Sequence, residues 1–461
     1  MSEKYSKSMF ILFPALAMLL GWGLRGHIGG GPFGAMIPGA MVALSLSLLL
    51  ELPAATTSII VVFGVVGVGL GGEMTYGQTL SFLRNPETVM WGTLATTLKG
   101  SIWGVLGGAV LALGFIYKRL TKKTIIVALL LMMVGILLGF KLINQPMLIY
   151  FSDPANPRSE SWGALLLGAV ALLLYLKFKI SKADFKLVSR FALWSLIGGA
   201  LGFGIGGLWF VLGSYLPKEI VFQSWWKMME FTFGFLLGAG LGYAAWLSRN
   251  ELKTESDNNT KSEVYSFQSS YKEIGIAVLA GLLIFLVVPG ILEPFVEAAS
   301  SSDGIFMTGL RTISMMLVNY AFFGFILIIA AMYFPKAAWQ LGITLTFCHT
   351  VIDLADDHIV EVFTNAPVLA SILVVLIPTF LVAFLTAFYQ RKANPIRSIF
   401  LLLIWSTVLV SMIKIGFYPQ KLNLAGYSFC KIICGVYIVD IVFAVSAILL
   451  SLILIRKFKA V

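Results

Sequence analysis

GWGLRGHIGGGPFGAMIPGAMVALSLSLLL, residues 21–50, decides what kind of fold this chain adopts. An apolar run that begins near residue 8 ends in a glycine-rich bend holding Arg25 and His27, and a second apolar run starts at Phe33. A helix needs about twenty apolar residues to cross the hydrocarbon core of a bilayer. Both runs come close to that length, so the stretch predicts two membrane-spanning helices joined by a loosened, charged turn.

The rest of the chain continues in this manner. Of its 461 residues 59% are hydrophobic and only 12% charged, with a mean hydropathy of +0.92. Soluble domains carry about a quarter charged residues, so a soluble fold is excluded. The alternating pattern of a membrane β-barrel is missing, which leaves helices as the spanning element. The expected fold is an all-α, polytopic membrane protein. Fourteen spans are predicted, near 8–24, 33–50, 55–74, 88–116, 124–143, 161–176, 191–213, 222–246, 274–292, 305–333, 337–354, 366–389, 398–416 and 432–455. The first is read as a span and not as a cleaved signal peptide, because GWGLRGHIGG makes a poor small-residue cleavage site.

Charge tests that count. Fourteen spans put both termini on one side. With that side cytoplasmic, the inner segments hold 22 of the 33 basic residues, as positive-inside bias requires. The net charge of +11 is therefore an orientation signal, and nucleic acid is excluded as a partner. A bacterial inner membrane with cytoplasmic termini is expected, with membrane lipid as a partner and homo-oligomerisation left open. The polar stretch 248–273 has linker composition. It divides an eight-span half, 1–247, from a six-span half, 274–461.

Four even-numbered spans begin alike: FGAMIPGAMVALSL from Phe33, WGVLGGAVLALGF from Trp103, WGALLLGAVALLL from Trp162 and FGFLLGAGLGYAA from Phe233. Their aromatic–glycine anchors stand 70, 59 and 71 residues apart. Small residues are common wherever membrane helices touch, but agreement at four places reads as four copies of a helical hairpin.

The tips of these hairpins carry the costly residues. Charge at membrane depth must face a partner or water, and backbone freed by glycine must be satisfied there too. A solute site lined by helix ends meets both needs. The expected substrate-binding residues are Arg25 and His27 of the first tip, Glu73, Arg84 and Lys99 of the second, Arg158 of the third, and Trp225, Trp226, Lys227 and Glu230 of the fourth. The competing reading is an external turn with Arg25 paired structurally to a carboxylate such as Glu73.

A second polar centre is FCHTVIDLADDHIVEVF, residues 347–363. On a helix, His349, Asp353 and Asp356 or Asp357 recur on one face, which suits ion coupling; a shared divalent ion and an ordinary solvated turn are the competing readings. No metal site or cofactor is assigned. Cys348, Cys430 and Cys434 are read as packing thiols, Glu293 and Glu297 as structural partners of Arg311, and Asp440 as a residue bonding between helices, with Lys414 or Lys431 in reach.

No phosphate-binding loop, nucleophile elbow or zinc-protease motif occurs. The sequence therefore favours a non-enzymatic role: ion-coupled secondary transport of a small polar solute, sugar-like or anionic, through a site near the external face. The alternative is a membrane-embedded enzyme whose external site acts on a lipid-linked or glycan substrate. For that reading the inner halves of the spans, mostly apolar, are no obstacle.

Overall fold

A computed structural model of the protein describes residues 4–28, 31–152, 160–215, 224–259, 270–284, 287, 319–348, 367–417, 428 and 437–459. Among these residues ten helices are long and apolar enough to cross a membrane, and two shorter apolar helices accompany them. The protein is all-α, with the architecture of a multi-pass membrane protein.

Seven helices of the N-terminal half are long: α1 (Lys7–Ile28), α2 (Gly31–Leu49), α3 (Ala54–Leu70), α5 (Val89–Ile116), α6 (Lys122–Gly139), α7 (Trp162–Lys179) and α8 (Lys182–Ser214). An eighth, α9 (Ser224–Asn259), follows them, and the short α4 (Gly77–Ser81) precedes α5. Six of them close on themselves. α1 packs on α2, α2 on α3, α3 on α5, α5 on α8, α8 on α9, and α9 returns to α1. Each neighbour runs antiparallel, so three hairpins, α1–α2, α3–α5 and α8–α9, make a ring. The α6–α7 hairpin lies outside it against α5.

Glycine makes the ring this tight. Along α5, Gly100, Gly104 and Gly108 recur every four residues and face Gly199, Ser195 and Phe191 of α8; a Cβ at any of them would strike that backbone. Gly234, Gly238 and Gly242 of α9 do the same for α1, where added Cβ atoms at the first two would lie 2.6 Å from Met18 O and 2.5 Å from Pro14 O. In lipid, helices gain little from hydrophobicity against one another, so close backbone approach supplies the attraction. At the head of α2, Gly31 has φ 46°, the left-handed turn conformation that lets the chain reverse after α1.

The hairpins turn at one end, called here the tip end. It holds the C-termini of α1, α3, α6 and α8 and the N-termini of α2, α5, α7 and α9. The opposite, base end carries the ordinary surface ion pairs. Lys4 pairs with Glu51, Arg119 with Asp184 at 3.0 Å, and Arg190 with Glu251 at 2.8 Å.

The C-terminal half adds α10 (Ser270–Leu282), α11 (Tyr320–Tyr333), α12 (Pro367–Tyr389), α13 (Pro395–Phe417) and α14 (Ile438–Lys457). α11 packs on α3, while α13 and α14 pack on α1. A π-helical turn at Gln340–Thr344 leads into a buried polar seam against α12, where Gln340 donates to Ala383 O at 2.9 Å and Cys348 meets Thr379 at 2.6 Å.

Candidate functional site

An aromatic layer crosses the ring: Trp22 of α1 lies 5.1 Å from Trp103 of α5 and 4.8 Å from Phe233 of α9, and Phe233 stacks on Phe203 of α8 at 4.0 Å. Two of these are aromatic–glycine anchors, Trp103 and Phe233. Trp103 Nε1 donates to Val68 O at 2.7 Å, which fixes the layer to α3.

Arg25 stands on the tip side of this layer. It lies one helical turn beyond Trp22, and its guanidinium carbon is 5.6 Å from the Trp22 ring, 5.2 Å from Tyr76 and 5.7 Å from Trp103. Only 5% of Arg25 is exposed. Three aromatic faces around a desolvated cation contribute attraction of their own. Its counter-charge is Glu230 of α9, 1% exposed.

The hydrogen bonds between them are lopsided. Arg25 Nη1 donates to Tyr76 Oη and, at 3.3 Å, to Glu230 Oε1. Tyr76 Oη donates to the same Oε1 at 3.0 Å, and Trp226 Nε1 donates to it again at 3.0 Å. Burial pushes the Tyr76 phenol well above its usual range, so it keeps the proton it donates. One carboxylate oxygen thus takes three donors. The other, Oε2, has no hydrogen-bond partner among the described residues, and neither do Arg25 Nε and Trp22 Nε1. An arginine–carboxylate pair built for stability would be a two-bonded fork; this one leaves Arg25 Nε and Glu230 Oε2 unpartnered among the described residues.

Charge continues outward from Glu230. Lys227, three residues earlier on α9, places Nζ 3.8 Å from Asp440 Oδ1 on α14. The series Arg25, Glu230, Lys227, Asp440 alternates in sign from the ring interior to the C-terminal half. Asp440 thus meets Lys227; Lys431 and the side chain of Lys414, suggested by the sequence as its partners, lie outside the described residues.

A second buried ion pair lies nearby and is built differently. Lys99 of α5, 1% exposed, donates to Thr75 O at 2.7 Å, Thr79 Oγ1 at 2.8 Å and Glu160 Oε1 at 2.9 Å. Glu160 also accepts from Ser152 Oγ at 2.8 Å and, through Oε2, from the Phe151 backbone at 2.9 Å. Every ammonium proton and both carboxylate oxygens are occupied. This pair clamps the segment carrying Tyr76 to α5 and to the approach of α7.

The other described members of the expected set are dispersed. Glu73 accepts from the backbone N–H of Tyr320 at 3.1 Å, which ties α11 to α3 and leaves Arg25 to Glu230. Arg84 is exposed, with its guanidinium over Phe210 at 5.3 Å. Trp225 turns toward α8 and stacks on Trp209 at 5.7 Å. His27 lies in the last turn of α1, and only its backbone is described. Arg158, His349, Asp353, Asp356 and Asp357 lie outside the described residues, as do Cys430 and Cys434. The expected set omitted Tyr76 and Glu160, although both are polar tip residues in the sequence; nothing local to either names a partner many residues away. Comparisons with protein-family models, with curated proteins and with solved structures find no match to this chain.

Proposed function

We propose that the protein is a secondary transporter of a small polar solute, anionic or sugar-like, which binds at Arg25, Tyr76, Trp226 and Glu230 inside the ring. The observation that carries this reading is the open half of the Arg25–Glu230 pair. Placing an arginine within a membrane costs about 3 kcal/mol on insertion scales. A purely structural pair would recover that with full hydrogen bonding, as Lys99 and Glu160 do. Arg25 Nε and Glu230 Oε2 instead offer one donor and one acceptor to a guest. Trp22, Tyr76 and Trp226 supply flat apolar faces beside them.

In this reading the chain has fourteen spans and lies in a bacterial inner membrane, with both termini cytoplasmic and the tip end outward. The basic clusters at the base end support that orientation. The closed ring of three glycine-striped hairpins supports descent from a repeated hairpin, with α6–α7, the third copy, displaced outward. The aromatic layer acts as the inner gate, and His349, Asp353, Asp356 and Asp357 remain the proposed ion-coupling group of the C-terminal half.

The test is uptake into proteoliposomes, with imposed ion gradients, of a panel of radiolabelled small carboxylates, phosphate and sugars. Gradient-dependent accumulation lost in Arg25→Ala supports transport. One observation favours the alternative of a membrane-embedded enzyme with an external site: the aromatic layer closes the ring beneath Arg25. Turnover of a lipid-linked substrate added outside, with no accumulation of any solute, would select that reading.

A further inference from the structure

Arg25 and Glu230 form a pair that is neutral as a whole and withdrawn from water. An anion placed on Arg25 Nε would add a second negative charge beside Glu230, where low dielectric screens little. Two carboxylate-like charges sharing one buried cation favour the state in which one of them is protonated.

The bonding pattern says which oxygen would take the proton. Oε1 is crowded by Arg25, Tyr76 and Trp226, all donating, as a carbonyl oxygen can accept. Oε2 is buried and has no hydrogen-bond partner among the described residues, and a proton there turns it into a donor. A carboxylic acid fits this set of partners with no rearrangement.

We propose that a small oxyanion binds at Arg25 together with a proton on Glu230 Oε2, so that the site takes up anion and proton as a neutral pair. This rests on the transport reading and deepens it by naming the solute class and the coupled ion. Among the described residues, the groups facing Glu230 are few. α1 brings Arg25, the 74–76 segment brings Tyr76, and α9 itself brings Lys227, backed by Asp440 of α14. The neighbouring stretches of α2 (31–49) and α8 (203–214) contain no ionisable residue, and Lys99 of α5 is engaged by Glu160. His27 lies in the last turn of α1, and the experiment controls for it.

The experiment measures binding of radiolabelled acetate and of inorganic phosphate to the purified full-length protein, from about pH 5 to about pH 8. With one proton taken up per anion, apparent affinity falls about tenfold per pH unit once Glu230 deprotonates. Glu230→Gln, which mimics the protonated acid, binds tightly at every pH. His27→Gln keeps the wild-type slope, and Arg25→Gln binds neither probe. A folded Glu230→Gln with the same pH slope as wild type overturns the proton coupling while leaving the solute site standing. Failure of wild type and folded Glu230→Gln to bind either probe at any pH overturns both readings and leaves a structural pair bonded to water. Should Glu230→Gln not fold, proton uptake on adding acetate to unbuffered wild type decides: one proton per bound anion supports the inference, and none overturns it.

Discussion

At the residue scale, two buried ion pairs of the same chemistry behave differently because one is closed and the other open. Lys99 and Glu160 satisfy each other fully, so removing one partner strands the other. Lys99→Met is expected to cost about 3–5 kcal/mol, read as a lowered thermal midpoint in detergent. Lys99→Met with Glu160→Met should recover part of that loss, since no lone charge remains. Arg25→Lys tests the opposite case. It keeps the charge but loses the planar fork and the Nε donor, so solute affinity should fall at least tenfold while the thermal midpoint moves little. An unchanged affinity would mean that Arg25 acts only as a point charge. Both residues were legible in the sequence as charges too expensive to sit in lipid. Their partners were not, because Arg25 and Glu230 are 205 residues apart and only the closure of the ring brings α9 back to α1.

At the scale of the helices, the glycine stripes state which surfaces touch. Gly104→Leu on α5 and Gly238→Leu on α9 would drive a side chain into Ser195 and Pro14 backbone. Each should destabilise by about 1–3 kcal/mol or more, as overpacking does, and should broaden the gel-filtration peak. Gly275→Ala is the control, because nothing lies within 4 Å of a Cβ there. Equal behaviour of all three would show that the stripes do not hold the ring. The same stripes explain what the sequence revealed of this level. Apolar windows located α1–α3 and α5–α7 to within a few residues of their ends, because hydropathy changes where the membrane does. Hydropathy is blind to helix that continues into water. α8 starts at Lys182, nine residues before the predicted span, capped by Ser181 accepting from the Asp184 backbone at 3.1 Å. That Ser-x-x-Asp pattern was readable as a helix start, yet a window that scores only oiliness passes over it.

For the whole molecule, the decisive property is that polar chemistry is sorted between the two ends of one closed ring. At the tip end, Arg25 with Glu230 and Lys99 with Glu160 form ion pairs buried inside the protein. At the base end, lysines and arginines are numerous and paired across the surface. A membrane potential and anionic lipid would act on the base cations together, so the ring is expected to insert in one orientation. Sequence composition predicted that sorting but not the ring. Closure depends on α9 returning to α1, a long-range contact that no local pattern encodes. The orientation has a direct test. In a chain with Cys348, Cys430 and Cys434 replaced by alanine, Glu87→Cys places a thiol at an exposed tip position and Lys186→Cys at an exposed base position. A membrane-impermeant maleimide added to intact cells should label the first and spare the second until the membrane is broken. Reversed labelling would turn the ring over. The Arg25 site would then open to the cytosol, any proton and anion would be loaded from inside, and the direction of coupled transport would run outward.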